Sequence, residues 1–513
     1  MSVTVQRRLA SPDATAGLGA EIALWLRPGD FLALTGPLGA GKTVLARAIV
    51  SALGSAPEEV PSPSFTLVQH YPELRLPVAH FDLYRITGAG ELDELGLDDA
   101  LERGVALVEW ADRLGDALPP DRLDVALADG TGDDARVATL TGHGAWRDRL
   151  GRGIDVARFI EGAGWSGAGR QWLKGDASTR AYERLFDRAS GASAVLMNAP
   201  RGPDGPPVRD GRPYSRIAHL AEDVRAFIAV DRHLLALGLS APRILAADPA
   251  RGFLVVEDLG DCLYGGLVAS GADPAPAYEA AVDALCRVQA EPPPARLETG
   301  RGHGHVVPRY DPGALLIEVE LLIDWAWPAW LGAPCPADAR AAYRDVWSRA
   351  LDALAARDVL VLRDFHSPNL LWLADRSGAA RAGLIDFQDA LIGHPAYDLV
   401  SLAQDARTDL PDGLERFIIE RWMAGRPPRL AGLARTDFDA DYAVLGAQRA
   451  AKIAGIFTRL AVRDGKPSYL AHMPRVLRHL RANLGHPRLA PVLQWFHRHL
   501  DLDRAPERLA ISA

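Results

Sequence analysis

Two groups of residues in this chain have the types and spacing for phosphoryl chemistry. The first is Gly36-Pro37-Leu38-Gly39-Ala40-Gly41-Lys42-Thr43. An apolar run, Phe31-Leu32-Ala33-Leu34, precedes it and reads as a buried strand. Val44-Leu45-Ala46-Arg47-Ala48-Ile49-Val50 follows and reads as a helix. Strand, glycine-rich turn, Lys-Thr and helix together are the setting of a phosphate-binding loop. Gly36, Gly39, Ala40 and Gly41 let the backbone wrap closely round phosphates, and the helix N-terminus aims N–H groups at them. In such a loop Lys42 reaches the β- and γ-phosphates, and the Thr43 hydroxyl takes Mg²⁺. A chance glycine turn would have to set one of only four lysines at the motif's lysine position. The expectation is an ATP or GTP site.

Two acids downstream could complete it. Glu109 ends the apolar run Val105-Ala106-Leu107-Val108, and Asp82 lies near the end of Val78-Ala79-His80-Phe81. Ligands of parallel sheets bind at the carboxyl ends of strands. Either acid could therefore hold Mg²⁺ or orient an attacking water. A single strand-end acid is as often a cap or turn residue; the loop upstream favours the functional reading.

The second group is Arg363-Asp364-Phe365-His366-Ser367-Pro368-Asn369-Leu370-Leu371-Trp372, followed by Gly383-Leu384-Ile385-Asp386-Phe387-Gln388-Asp389. An Asp, an Asn five residues on, and a second Asp after the next strand is the kinase arrangement. Asp364 would accept the substrate hydroxyl's proton, and Asn369 and Asp386 would bind the Mg²⁺ ions that bridge nucleotide phosphates. A lone Asp-x-x-x-x-Asn is usually a capped loop; the flanking Leu-Leu-Trp-Leu and Leu-Ile-Asp-Phe give it the kinase context. His366 reads as scaffold, and Asp389 and Asp398 as structural. Upstream, Gly175-Asp176-Ala177-Ser178-Thr179-Arg180 is a polar loop able to cover phosphates, and Val256-Glu257-Asp258-Leu259-Gly260 reads as a hinge between lobes. Ser178, Arg180 and Glu257 are the candidate nucleotide contacts. The lysine that the third kinase strand normally supplies is missing. Met197 stands near that position, and no lysine occurs between Lys174 and Lys452. Lys174, Arg180, Arg201 or the metal alone would have to meet the phosphate charge.

The elements that position these groups suit a chain of 513 residues, too long for one ordinary core. Apolar content of 48% and charged content of 24% are those of a globular protein. A net charge of −9 advertises no global basic surface for nucleic acid. Cys262, Cys286 and Cys335 form no CxxC pair, so neither a disulfide framework nor a zinc site is supported. The N-terminus lacks the apolar core of a signal peptide, and no run of about 18 apolar residues exists to span a membrane. A cytoplasmic enzyme is expected. Strands alternate with helices over residues 1–145, which predicts a mostly parallel sheet with helices on both faces. Residues 123–127 and 137–140 would form a terminal hairpin. Residues 146–165 read as a linker rich in Gly and Arg, with a short possible helix at Val156 to Glu161, 166–260 as a small β-rich lobe, and 261–513 as a large helical lobe. The fold class is α/β: a nucleotide-binding sheet domain followed by a bilobal α+β domain.

Two resemblances sharpen this. Gly39-Ala40-Gly41-Lys42-Thr43, Ser62-Pro63-Ser64-Phe65-Thr66-Leu67-Val68, His80-Phe81-Asp82-Leu83-Tyr84-Arg85 and Val108-Glu109-Trp110 occur in the order seen in the TsaE family. These are P-loop ATPases of the bacterial machinery that makes threonylcarbamoyladenosine on tRNA. The resemblance implies that Lys42 and Thr43 bind phosphate and Mg²⁺, that Asp82 and Glu109 serve the metal and hydrolysis, and that Trp110 lies beside the site. It also implies that residues 62–66 act as a nucleotide-sensitive switch, and that the partners are the threonylcarbamoyl transferase subunits, TsaD and TsaB.

The second half resembles the aminoglycoside phosphotransferase (APH-like) superfamily, a protein-kinase-like fold, and within it the AmgK group, anomeric kinases of N-acetylmuramate and N-acetylglucosamine. The phosphate-covering loop, the hinge, Arg363 to Leu370, Asp386-Phe387-Gln388-Asp389-Ala390 and Tyr397-Asp398-Leu399-Val400-Ser401-Leu402 carry it. AmgK-like chains also lack the strand lysine. The superfamily usually has His before the catalytic Asp, where this chain has Leu362-Arg363. The expected protein is a bifunctional user of ATP and Mg²⁺. The alternatives for the second half are a kinase of another hydroxylated small molecule, such as an aminoglycoside, and a non-catalytic nucleotide-binding module. Trp325, Trp327 and Trp330 could stack on a sugar ring or pack the lobe.

Overall fold

The computed structural model describes residues 2–54, 62–63, 66–86, 96–173, 180–202, 204–300, 303–355 and 357–502. It divides into two compact units, Met1–Lys174 with Tyr182–Ala194, and Gly175–Ala181 with Val195–Ala513.

The first unit runs β1 (Val3–Leu9), α1 (Pro12–Trp25), β2 (Phe31–Thr35), α2 (Lys42–Leu53), β3 (Val68–Tyr71), β4 (Val78–Asp82), α3 (Leu97–Arg103), β5 (Val105–Glu109), β6 (Arg122–Asp129), β7 (Arg136–His143) and α4 (Trp146–Gly162). It closes on the antiparallel hairpin of β8 (Gly169–Leu173) and β9 (Ala181–Phe186). The seven-stranded sheet has the order β1-β7-β6-β2-β5-β4-β3. Its centre is parallel, with β2 between β5 and β6 and β4 beside β5. Its flanks are antiparallel, through β3–β4, β6–β7 and β1–β7. The sheet is thus more mixed than the alternation of elements predicts, because the last strands return by a hairpin and β1 adds to β7.

Both faces of the central strands are covered, which is why they read as unbroken apolar runs. Leu32, Leu34, Val105 and Leu107 pack with α1 and α2 residues such as Ile22, Leu45 and Ile49. Phe31, Ala33, Ala106 and Val108 face the opposite layer with Phe81. This alternation decides where the acids fall. Glu109 shares a face with Val105 and Leu107, and Asp82 shares one with Val78, so both carboxylates emerge on the α2 side of the sheet. Helices α1 and α2 can approach closely because residue 19 is glycine; a Cβ there would stand 2.6 Å from that of Ala48.

Residues 146–162, which composition reads as linker, form helix α4 of this unit. Trp146, Leu150, Gly153, Val156 and Ile160 line its buried stripe. Its low apolar content hides that stripe in the sequence.

In the second unit, strand Ile244–Asp248 pairs antiparallel with Phe253–Glu257, next to Ser193–Asn198 in the sheet. Helix Val224–Ala236 is capped by the Asp223 side chain. The remainder is chiefly helical. Two short antiparallel pairs, Val359–Val361 with Leu391–Gly393 and Leu370–Trp372 with Ala382–Leu384, frame the second candidate site. The long helix Arg435–Val462 is buried over most of its length. Trp327 and Trp330 are buried, and Trp327 contacts the Trp495 ring, so both pack the lobe. Among the described residues no helix is long and apolar enough to cross a membrane.

Candidate active sites

The first site sits at the carboxyl ends of β2, β4 and β5. Residues 36–41 leave β2 and turn into α2, with Gly41 in the left-handed region as its N-cap. Space above Gly39 and Gly41 is open, since a Cβ on either would meet no atom within 4 Å. Gly36 differs: at φ 135° its Cβ would lie 2.2 Å from the Leu127 carbonyl oxygen of β6. We expect Gly36→Ala to cost the first unit about 1–3 kcal/mol from strain alone, more with the clash. Denaturant unfolding of the full chain would read this as a first transition at lower denaturant, and an unshifted transition would contradict it.

Lys42 is buried, and its Nζ donates to the carbonyl oxygens of Gly36 (2.8 Å) and Pro37 (2.9 Å). The same ammonium lies 3.7 Å from the Trp110 ring centroid, and Trp110 in turn contacts Tyr84. Burial lowers the Lys42 pKa, against the opposing pull of Glu109, Asp82 and Asp112. Thr43 Oγ1 donates to Glu109 Oε2 at 2.9 Å, and His80 Nε2 donates to Glu109 Oε1 at 2.9 Å. Asp82 and Glu109 are register partners on adjacent parallel strands. Asp82 Oδ1 accepts the Tyr84 N–H. Trp110 adopts φ 58°, a conformation costly for a bulky residue.

Gly36, Gly39, Ala40, Gly41, Lys42, Thr43, Asp82, Glu109 and Trp110 are thus all in one place. Two carboxylates and a hydroxyl form the oxygen donor set that Mg²⁺ prefers, and the open glycine turn with one ammonium suits a polyphosphate. Ser62, Pro63 and Thr66 of the suggested switch are described, and Ser64 and Phe65 lie outside the described residues. Sequence reading missed His80. The signal was there: it lies two residues before Asp82 on one strand, hence on the same face. It also missed Arg136 of β7, whose Nη2 donates to the Gly39 carbonyl at 3.3 Å; nothing local marks that residue.

The second site forms between Val359–Val361 and the turn after Ala382–Leu384. Asn369 Nδ2 donates to the Asp364 backbone oxygen at 3.0 Å and to Asp386 Oδ2 at 3.4 Å. Gln388 Nε2 donates to Asp386 Oδ1 at 2.9 Å, and Arg180 Nη1 to the same oxygen at 3.2 Å. Arg363 and Asp386 both have positive φ, at 71° and 59°. The loop is held from below by buried Asp398, which accepts the N–H groups of Leu362 (2.7 Å) and Arg363 (2.9 Å). Asp405 accepts the Ser367 N–H and its hydroxyl.

Burial would raise the Asp364 pKa, but the cations Lys452, Arg449 and Arg363 outweigh it and keep the carboxylate ionised. Asp386 goes the other way: burial, with Asp364 and Asp389 adding, pushes it up to about 6 against Arg180. Two acids with opposed environments suit one base and one cation ligand. Burial lowers His366 to about 4, so it is neutral at pH 7, as scaffold would be. Arg363, in place of the family's usual His, is buried and donates to Glu318, which also pairs with Lys452 at 2.8 Å. Burial would raise Glu318, but Lys452 and Arg363 hold it at about 2. A buried acid shared by two cations explains how the loop tolerates arginine there.

Asp364, Asn369, Asp386 and Arg180 come together. A guanidinium on Asp386 stands where a cation would, so the Asn369–Asp386 pair fits Mg²⁺. Met197 is buried in the apolar layer, and Arg201 pairs with Glu222. Ser178 and Lys174 lie outside the described residues. The Glu257 carboxylate is taken up by Arg243 (3.0 Å) and Arg376 (3.0 Å). Asp389 Oδ1 accepts the Ala221 N–H at 2.6 Å, which ties a neighbouring loop to the site.

Fold and sites together define a P-loop ATPase domain and a kinase-like phosphotransferase domain. Residues 9–137 match the family model for threonylcarbamoyl adenosine biosynthesis protein TsaE, and residues 171–435 match that of the phosphotransferase enzyme family, APH. The chain is 41% identical over 360 residues to an N-acetylmuramate/N-acetylglucosamine kinase of Caulobacter vibrioides, covering 68% of this chain and 96% of that one. A kinase of the same name in Pseudomonas putida is 33% identical over 323 residues, covering 61% and 84%. The tRNA threonylcarbamoyladenosine biosynthesis protein TsaE of Bacillus subtilis is 38% identical over 138 residues, covering 27% and 85%. The chain belongs to the N-acetylmuramate/N-acetylglucosamine kinase family of APH phosphotransferases, and its N-terminal part belongs to the TsaE family.

Proposed function

We propose that this chain carries two ATP-dependent activities. The first domain hydrolyses ATP in support of threonylcarbamoyladenosine formation on tRNA, with TsaD- and TsaB-like transferase subunits as its partners. The second transfers the γ-phosphoryl group of ATP to the anomeric hydroxyl of N-acetylmuramate or N-acetylglucosamine, a reaction suited to recycling cell-wall sugars in the cytoplasm. The observation that carries the kinase assignment is the bonded cluster of Asp364, Asn369 and Asp386, in a chain 41% identical to a kinase named for those sugars.

Bound Mg²⁺ supplies charge neutralisation at the phosphates in both domains. The residues supply the rest. In the kinase domain Asp364, held ionised, takes the hydroxyl proton as the sugar oxygen bonds to phosphorus and ADP leaves. Asn369 fixes the Asp364 backbone and, with Asp386, holds the metal. Arg180 serves the phosphates in place of the strand lysine. In the first domain Lys42 turns from the Gly36 and Pro37 carbonyls to the phosphates. Thr43, Asp82 and Glu109 hold the metal, and Glu109, oriented by His80, positions the attacking water.

The test is product formation from labelled ATP by the full chain, with N-acetylmuramate, N-acetylglucosamine and an aminoglycoside in parallel. A sugar 1-phosphate from the N-acetyl sugars is the expected result. Product from the aminoglycoside alone would move the acceptor. Product from none would leave the nucleotide-binding module as the reading.

A further inference from the structure

Helix Pro312–Leu321 is apolar over Ala314-Leu315-Leu316-Ile317 and then carries Glu318, which is fully buried. A carboxylate in such a place must be compensated, and this one accepts from four side chains. Oε1 accepts from Arg363 Nη2 and, at 2.8 Å, from Lys452 Nζ. Oε2 accepts from the Tyr310 hydroxyl and, at 2.9 Å, from Gln448 Nε2. Gln448 and Lys452 are four residues apart on the long helix Arg435–Val462, so one face of that helix supplies both. Three of the four donors lie outside the catalytic loop. The fourth, Arg363, is the residue immediately before Asp364.

Arg363 needs holding. Its φ of 71° lies in the left-handed region, which a residue with a Cβ keeps only where its surroundings enforce it. Three contacts enforce it here. Asp398 Oδ1 accepts the Arg363 N–H at 2.9 Å, and Arg449 Nη1 donates to the Arg363 carbonyl oxygen at 3.4 Å. Both of these hold backbone; Glu318 holds the side chain. The supports are themselves joined. Tyr397, next to Asp398, has its hydroxyl 3.0 Å from that of Tyr310 and 3.4 Å from Lys452 Nζ. The turn at Arg363 decides where the following Cα–Cβ bond points, and hence where the Asp364 carboxylate stands. A buried ion pair is by itself weak evidence for stability, because desolvation offsets most of the attraction. Nor is this one complete, since Arg363 Nη1 is buried with no hydrogen-bond partner. What the pair does supply is direction: a planar guanidinium is aligned by an acceptor at a fixed place.

We infer that Glu318 is a positioning residue of the kinase reaction: through the Arg363 side chain it holds the left-handed turn that presents Asp364 to the acceptor hydroxyl. Lys452 and Gln448 in turn hold Glu318. The inference rests on the kinase reading above and deepens it.

The test uses the full chain. The readouts are kcat for sugar phosphate formation, the KM values for ATP and N-acetylglucosamine, and the unfolding transition of the second unit. Glu318→Gln and Arg363→Met should each lower kcat about 10–10²-fold, the cost of a base displaced by about an ångström. Both KM values should stay within about threefold, since neither residue binds a substrate. The double variant should match the worse single variant within about threefold, because a residue that acts through another has nothing left to act on. Independent structural lesions would instead multiply. Arg363→Lys, which keeps a charged donor, should recover part of the Arg363→Met loss. Where Glu318→Gln alone does not fold, the same cycle is run against Lys452→Met as reference, which takes one buried cation away along with the acid. A folded Glu318→Gln chain with kcat within about threefold of its reference would overturn the inference. Losses that multiply in the double variant, or a change confined to KM, would overturn it too, and all three leave the kinase reading intact. An unmodified chain that phosphorylates no N-acetyl sugar would overturn both.

Discussion

Asp364→Asn should reduce sugar phosphate formation by about 10²–10⁴-fold, the range for losing a positioned general base, with folding and nucleotide binding retained. The substitution is nearly isosteric. The loop's supports are backbone groups: Asp398 accepts the N–H groups of Leu362 and Arg363, and Asn369 bonds the Asp364 carbonyl oxygen. None of these uses the Asp364 carboxylate. What disappears is the proton acceptor, which Lys452, Arg449 and Arg363 keep ionised against burial. The decisive comparison is kcat for the sugar beside the thermal unfolding midpoint and the ATPase of the first domain. A kcat within tenfold of the unmodified chain would remove Asp364 from the role of base.

Lys42→Ala should abolish nucleotide hydrolysis by the first domain and leave the kinase untouched. Among the described residues Lys42 is the lysine at the loop, held by two loop carbonyls and stacked on Trp110. A hydrogen bond to a charged group contributes about 1.5–3 kcal/mol, so losing it from a polyphosphate should weaken ATP on the order of 10–10²-fold. Lost positioning of the γ-phosphate adds to the fall in turnover. Trp110 provides a direct readout, because an ammonium 3.7 Å from its ring must move when nucleotide binds. Nucleotide should change tryptophan fluorescence in the unmodified chain and much less in the variant. In cells that depend on this chain, threonylcarbamoyladenosine on tRNA should fall with it. Unchanged tRNA modification would detach this domain from that pathway.

Much of both sites is legible along the chain because the signals are local. A strand, a glycine turn and a helix start lie within a dozen residues at Phe31 to Thr43, and backbone geometry alone brings their groups to one point. Asp364 and Asn369 are likewise set by one short loop. The same logic fails where a contact joins distant strands. Nothing near Arg136 says that it reaches Gly39, because that contact depends on β7 returning beside β6. Helix α4 is legible only over its end, Val156 to Glu161, for a different reason: its buried stripe of Trp146, Leu150, Gly153, Val156 and Ile160 is diluted by seven charged residues, Arg147, Asp148, Arg149, Arg152, Asp155, Arg158 and Glu161, along the same stretch.

By itself the sequence determined the chemistry: which residues could bind phosphate, accept a proton or hold a metal, and that two such sets exist. Only the tertiary structure decided their arrangement. The parallel register of β4 and β5 sets Asp82 beside Glu109, and strand alternation turns both toward Thr43. The packing of the helical lobe sets Lys452, Arg449 and Arg363 around Asp364, in an interior where a charge acts strongly over several ångströms. Arg180, not Arg201, is the described arginine at Asp386. Residue types are fixed one at a time along a chain, whereas charge, register and burial are properties of neighbours that the chain meets only when folded.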